Sequence, residues 1–598
     1  MENVVFGGLL IGIALLIAFF GLLERKRLLK YYNKKLQKEY GRPPESETGP
    51  LRKECIPTYH MRHKAEDAID DITWNDLGMD QIFEMMNHTY SSSGEEYLYH
   101  ILRTPVYREE ELLVREQDIR YFMEHEKERR DLQMVWIRMG KNERYSLYDY
   151  IDFLREIYQE KMKGIAPWLP SCLVIISVLL LFVRTGVGLT ALFAVIAFNI
   201  FRYYNLKSHL TPYLMGLRNL VRLIRAGKEA SRIQIEVCKE QMSEIGRITG
   251  IFQPFLKKAG FVFASEAGSG NPLEILRDYI NMIFHFDLIQ ASSMISMVEK
   301  NEAEIDRLNT AMGYVEAMIA IGSFRKMIEQ NNGYCIPEFK YSHETGKDRG
   351  HSCGQNGRQG PRLGNSRDMG QDIRQDVSEI YHPLLESPIK NSYRLTGSML
   401  ITGSNASGKS TFLKTMAINQ LFSQTIHMAC AERFCTSFYR LYSSMALKDD
   451  LCGGDSYYMV EIKAMKRIVE QSRRKDIPIL CFIDEVLRGT NTVERIAAST
   501  EILRFLDEQG VICVAATHDI ELTKLLEKWY ENYHFTEQVD GQDITFSYEL
   551  LKGRADSRNA IRLLQVMGYD REIVDHAEAM ARHFLTTGQW EDRGEGQS

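Results

Sequence analysis

No basic excess marks this sequence of 598 residues: 74 Lys and Arg stand against 80 Asp and Glu, a formal net charge of -6. A chain-wide nucleic-acid-binding surface is thereby excluded, and any such contact has to be a local patch. The ten cysteines form neither a CxxC pair nor a Cys/His cluster at zinc spacing, which removes a zinc finger and suits a reduced, cytoplasmic setting for the soluble part. Large apolar residues almost vanish from 344 to 376, where Gly, Arg, Asn, Gln, Ser and Asp dominate. That stretch reads as a linker or disordered insertion whose five arginines are solvated. The length calls for two or three domains rather than one core.

What is present begins with a charge-free run of twenty residues, Val4 to Leu23, about 30 Å long as a helix and enough to cross a bilayer. Met1-Glu2-Asn3 lacks the basic residues of a cleaved signal peptide, while Arg25, Lys26 and Arg27 follow the run, so it reads as an uncleaved anchor with its basic end in the cytoplasm. The basic cluster is a stop-transfer signal or, more sharply, a contact for anionic lipid headgroups. A second apolar region, Ile165 to Phe201, is interrupted at Arg184-Thr185-Gly186-Val187-Gly188, and each half is short for a span. Lysines before it, Arg202 and Lys207 after it, and Trp168, Tyr203 and Tyr204 at its edges favour a transmembrane hairpin over a buried one. Three crossings leave the C-terminal part in the cytoplasm. The residues between and after these runs are helical in pattern, with Ile305, Leu308, Met312, Val315 and Ile319 as a core stripe.

The chemistry is set by Gly403-Ser404-Asn405-Ala406-Ser407-Gly408-Lys409-Ser410-Thr411, which fits G-x-x-x-x-G-K-[ST] at every fixed position. It lies between a short apolar strand, 398–402, and an apolar-faced helix from Phe412, the context in which glycines curl backbone N–H groups round a phosphate. Lys409 then reaches the outer phosphates of ATP and the Ser410 hydroxyl joins the Mg²⁺ shell. Pro478 to Ile483 is an apolar strand ending in Asp484 and Glu485; the first carboxylate holds Mg²⁺, the second orients or deprotonates the attacking water. A third apolar strand, 510–516, runs into Thr517-His518-Asp519 and sets His518 where it can sense the terminal phosphate.

These motifs resemble those of the DNA mismatch-repair MutS family. Asp484 to Thr492 is similar to its extended D-E-x-x-R-G-T-x-T signature, and Ala516 to Leu522 to its A-T-H-x-x-E-L switch. Gly454 to Glu461 resembles its signature loop, His382-Pro383-Leu384-Leu385 the start of its ATPase domain, and Asn87 to Leu98 with Leu102-Arg103-Thr104-Pro105 the start of its helical core and lever. The resemblance implies that Ser456 reaches the nucleotide of the opposite subunit, hence a composite site and a homodimer, with DNA as partner. It also implies a departure: about fifty residues lie between anchor and lever, too few for the family's mismatch-reading domain, and no Phe-x-Glu wedge is found there.

The expected architecture is an α/β P-loop NTPase domain of ABC/MutS type, C-terminal to a long all-α core/lever domain, with an N-terminal transmembrane helix and a transmembrane hairpin. In order, the expected segments are an anchor (1–24), a basic cytoplasmic linker (25–74), core/lever helices (75–164), the hairpin (165–201), further lever helices (202–343), the disordered linker (344–376), the ATPase domain (377–585) and a flexible tail (586–598). The expected function is a multi-pass, membrane-anchored, Mg²⁺-dependent ATPase of this family that hydrolyses ATP at a composite dimer site to drive movement of helical arms, DNA-binding and related to mismatch repair; the expected partners are a second copy, membrane lipid, DNA and an unidentified protein client of the arms. The alternatives are an ABC-type transport ATPase, since Leu451-Cys452-Gly453-Gly454-Asp455 superficially resembles L-S-G-G-Q, or an ATP-switched membrane scaffold.

Overall fold

A computed structural model describes residues 2–45, 48–159, 167–263, 272–340, 374–404, 407–445, 457–488, 490–540, 543–554 and 561–590 without 562, 563 and 566. The expected linker thus lies almost wholly outside the described residues. The chain divides into two compact units: Met1–Ala65 with Phe83–Ile101 and Val114–Met327, and Glu66–Ile82 with Leu102–Leu113 and Ile328–Ser598.

The first unit is helical among its described residues. Its opening helix, Glu2–Glu39, is continuous for 38 residues. Leu36 near its end is buried, the Arg129 guanidinium lies 3.6 Å from the Tyr40 ring, and Gly41 N donates to Ser323 Oγ at 3.0 Å. Upstream, Leu16, Phe19 and Phe20 are exposed. The helix Glu302–Asn331 buries the whole stripe from Ile305 to Ile319 seen in the sequence. It crosses the helix Ser92–Arg103 closely, because a Cβ on Gly313 would sit 2.6 Å from Ser93 O and one on Gly94 would collide with the Glu316 carboxylate. Glu316 accepts Ser91 N at 3.1 Å and so satisfies a donor at that helix's start; burial pushes its carboxyl up to about 7. Arg52 is buried in a fork between Glu95, at 2.6 Å, and Glu96, at 2.8 Å. Such an ion pair fixes one packing more than it stabilises the fold.

The apolar region forms two helices, Leu169–Val183 and Thr185–Ala230, with Arg184 alone between them. Gly188 lets the two helices approach just after the turn, since a Cβ there would stand 2.5 Å from Leu181 N. The second helix continues well past residue 201, into the segment expected as separate lever helices. Its part Thr185–Ser208 is, among the described residues, long and apolar enough to cross a membrane, whereas Leu169–Val183 has 15 residues.

The second unit carries two sheets. The strands are β1 (Glu338–Phe339), β2 (Gln375–Ile380), β3 (Asn391–Leu395), β4 (Ser398–Thr402), β5 (Arg433–Thr436), β6 (Arg440–Ser444), β7 (Ile479–Asp484), β8 (Ile512–Thr517), β9 (Tyr530–Asp540) and β10 (Asp543–Lys552). The order β10-β9-β4-β8-β7-β6 is parallel except for β10, and a smaller sheet runs β1-β5-β2-β3. Strands β4, β7 and β8 are buried at every residue, which is why they read as unbroken apolar runs. Strand β2 begins at Gln375, two residues inside the expected linker.

Two short N-terminal pieces belong to this unit, a departure from the expected boundary at residue 74 and from the unbroken helical segment 75–164. The helix Asp71–Asp76 lies along β6, the open edge of the larger sheet. Ser443 N donates to Thr73 Oγ1 at 3.2 Å, and Asp76 Oδ2 accepts Ser443 Oγ at 2.6 Å and Met445 N at 3.0 Å. Arg440 meets Asp67 at 2.7 Å and Arg467 meets Asp70 at 2.7 Å. The second piece is tied to the first by Ile69 N, which donates to Arg103 O at 2.8 Å, and to the helix Lys409–Thr425 by Val106 N, which donates to Gln424 O at 2.8 Å. Together they form a clip that covers an edge otherwise open to strand pairing.

Candidate nucleotide-binding site

Strand β4 ends at Thr402, and the chain turns through Gly403 and Gly408, whose φ values of +151° and +96° favour glycine. At Gly403 space is also short: a Cβ would lie 2.7 Å from Ser407 Oγ and 3.2 Å from Phe535 O. The helix Lys409–Thr425 begins at once, so its unpaired N–H groups face the turn. Asn405 and Ala406 lie outside the described residues. Ser407 Oγ donates to Ser404 O at 2.7 Å, and Ser404 Oγ donates to Glu537 Oε2 at 2.7 Å. Lys409 Nζ donates to the Gly403 and Ser404 carbonyls, each at 2.7 Å. Burial pulls this ammonium down to about 8, against the opposing pull of Asp484 and Glu485.

Ser410 Oγ donates to Asp484 Oδ2, so the hydroxyl from the helix and the carboxylate at the end of β7 converge on one point. Glu485 follows in the left-handed region, at φ +60°, with its N–H donating to Ala516 O at 2.9 Å. His518 Nε2 lies 2.5 Å from Glu485 Oε1, and Arg488 Nε 2.7 Å from Glu485 Oε2. Burial works against ionisation of Glu485, but His518, Arg488 and Lys409 outweigh it and hold the carboxyl below the ordinary glutamate value. The His518 loop is fixed in turn by Asp519, which takes two bonds from Arg495, at 2.6 and 2.9 Å. The structure thus brings together Lys409, Ser410, Asp484, Glu485 and His518, and sets Thr411 at the helix start lining an adjacent cavity; Ser456 lies outside the described residues.

Sequence reasoning gave no role to several neighbours. Arg488, quoted only as part of a motif, also donates through Nη2 to Asp484 O at 3.0 Å, and its N–H reaches the buried Glu461 Oε1 at 3.1 Å. On the Gly408 and Thr411 side opens a cavity of about 570 Å³ lined by His382, Ile389, Phe412, Phe535, Phe546 and Tyr548. A register shift in β10 between Phe546 and Leu550 carries Tyr548 against Gly408, and Asn391 clamps it by donating to Tyr548 O at 3.0 Å and accepting from Leu550 N at 2.8 Å. Burial lowers His382 to about 4, leaving a neutral ring in this apolar wall.

These residues fit a nucleotide with Mg²⁺. The glycine cradle admits phosphate where a Cβ would not fit, and a hydroxyl beside one carboxylate is a hard-oxygen donor set. Among the described residues no group of three His, Cys, Asp or Glu side chains could hold a metal.

A mostly helical N-terminal region with a C-terminal α/β region of this layout is a MutS-like architecture. Residues 399–585 match the family MutS domain V. The chain is 29% identical over 204 residues to the DNA mismatch repair protein MutS of Thermus thermophilus, covering 33% of this chain and 25% of that protein. It is 30% identical over 204 residues to that of Thermus aquaticus, with the same shares. To that of Shouchella clausii it is 28% identical over 239 residues, 38% of this chain and 26% of the relative. The match spans about a quarter of the length of these relatives. In residues 399–585 the chain is similar to the MutS family.

Proposed function

We propose that this protein is a membrane-anchored ATPase that hydrolyses ATP at a P-loop site of MutS type and uses the cycle to move its helical unit. One observation carries the reading: the Ser410–Asp484 pair stands directly beside Glu485, which is bonded to both His518 and Arg488. In this reading Lys409 exchanges the loop carbonyls for the outer phosphates, and Phe546, Tyr548 and the neutral His382 receive the base. When bound at Ser410 and Asp484, Mg²⁺ supplies charge neutralisation at the phosphates. Glu485, ionised at neutral pH, accepts a proton from the attacking water or orients it. Both its oxygens are engaged here, so the water replaces one partner, and His518 turns toward the terminal phosphate.

The family supplies the rest: a homodimer in which Ser456 completes the opposite site, and DNA as the partner on which the named relatives act. The membrane reading is supported by the hairpin, where Phe182, Phe193 and Phe201 are 85%, 72% and 70% exposed, against the alternative of a hairpin packed inside protein. Glu485→Gln keeps the shape but not the base; the expected result is turnover reduced by about two to three orders of magnitude with ATP binding retained. Unchanged turnover removes Glu485 from the mechanism. Turnover of the detergent-purified chain with homoduplex, mismatched or branched DNA across a salt series tests the partner. Stimulation that weakens with salt supports DNA, and its absence at low salt moves the function to a protein or lipid client.

A further inference from the structure

The helix Pro272–Phe284 turns its apolar side the wrong way for a protein in water. Leu276, Tyr279 and Ile280 are exposed and Ile283 half-buried, a spacing of three, four and seven that makes one outward stripe; Phe286, also exposed, opens the next helix beyond the left-handed His285. Asn281, in the same helix, is buried. Its C-terminal end is bolted to the base of the hairpin by polar groups that leave it little freedom. Asn199, fully buried in the long hairpin helix, donates through Nδ2 to Ile283 O at 2.9 Å and Pro170 O at 3.1 Å, and accepts at its own carbonyl from His285 Nε2 at 3.0 Å. Tyr203 OH donates to Asp287 Oδ2 at 2.7 Å, and the Tyr204 hydroxyl reaches Met282 Sδ at 3.7 Å.

The level of these bolts follows from helix geometry. From Arg184 at the hairpin tip, Asn199 is fifteen residues down the helix and Tyr203 nineteen, or about 22 and 28 Å. A hydrocarbon core is about 30 Å thick, so a tip at one face puts Tyr203 at the other and Asn199 within about 8 Å of it. Trp168 and Tyr204, both exposed, stand sixteen and twenty residues from Arg184 at that same end of the hairpin, the placement of an interfacial aromatic belt.

We infer that the segment Leu276–Phe286 lies on the near surface of the bilayer, its stripe of Leu276, Tyr279, Ile280 and Phe286 seated at the boundary between headgroups and acyl chains. This rests on the membrane reading of the hairpin and adds a surface that the sequence did not reveal. The partner is the lipid surface itself, because the helix that carries the stripe packs against both helices of the apolar hairpin. An in-plane helix bolted to a hairpin also fixes how that hairpin is rotated, which a hairpin alone does not.

The test places an environment-sensitive fluorophore on Ile280→Cys, and separately on Phe193→Cys, in the full chain carrying Cys172→Ser and reconstituted into phosphatidylcholine vesicles. Nitroxides near the headgroup or deep in the acyl chains then report depth, and retained ATP turnover reports an intact fold. The expected result is quenching at 280 about twofold stronger by the shallow than by the deep nitroxide, with the reverse at 193. If 193 answers to the deep nitroxide while 280 is quenched only from water, the inference is overturned and the hairpin stands. Energy transfer between copies labelled at 280, with no lipid quenching, also overturns it by making the stripe a self-contact. No lipid quenching at either position overturns the membrane reading as well.

Discussion

Glu485 gathers most of the electrostatics of the site into one carboxylate, and its neighbours set the pH at which it works. Its pKa is depressed, so the ionised form that the proposed mechanism needs is present above that value and is lost as pH falls through it. His518 is the first of the groups that lower it. His518→Ala is therefore expected to raise the Glu485 pKa and move the acid limb of kcat to higher pH, with Arg488→Ala acting in the same direction; a pH profile of kcat at saturating ATP checks both. An acid limb that stays in place would mean that another group limits the rate. Ser410, Asp484 and His518 were legible in the sequence because each stands in a short contiguous pattern whose spacing is dictated by a strand end or a helix start. Tyr548 was not, since nothing local announces that a register shift in β10 brings it to Gly408, 140 residues earlier. Arg488 was visible as a motif letter, but its bond to Glu461 joins two elements that only the fold places together.

At the scale of elements, burial decided what could be read. Strands β4, β7 and β8 are apolar at nearly every position because helices cover both faces, and the long helix Glu302–Asn331 shows its stripe because one side is core. The clip showed nothing of the kind: its helix has six residues, too short for a period, and its acids look like a solvated run until their partners 370 to 400 residues later are known. Asp76 is its critical group, buried with one oxygen serving two donors. Asp76→Ala leaves Ser443 Oγ and Met445 N without that acceptor, a cost of about 1–3 kcal/mol, while Asp76→Asn keeps an acceptor in place and is expected to cost less. Denaturant unfolding of the three proteins in detergent, followed by intrinsic tryptophan fluorescence to which the buried Trp74 contributes, gives the comparison. Equal losses for Ala and Asn would mean that the charge of Asp76, rather than its acceptor geometry, holds the clip.

For the whole molecule, the chain passes between the two units at 65/66, 82/83, 101/102, 113/114 and 327/328. On the membrane reading proposed above, the topology turns on the hairpin tip. One crossing or three puts the two chain ends on opposite sides, so tags on the termini do not distinguish a hairpin that crosses from one that only dips in. The tip does. With Leu169–Val183 about 22 Å long and Thr185–Ser208 about 36 Å, the first helix is shorter than a 30 Å core and the second is longer, a mismatch met by local thinning and by tilt. Three crossings place Arg184 and Gly186 outside and the ATPase site in the cytoplasm. Gly186→Cys, in the background lacking Cys172, is therefore expected to react with a membrane-impermeant maleimide added to intact cells. Reaction only after the membrane is opened would make the hairpin re-entrant and leave the N-terminal helix as the single crossing. The far-side position used above to set the level of Asn199 would then have to be measured from a tip inside the bilayer, and the Leu276–Phe286 stripe would sit beyond the headgroups. The maleimide result and the fluorescence depth of residue 280 must consequently agree, and a tip closed to the outside with residue 280 at the interface would contradict the helix geometry on which both rest.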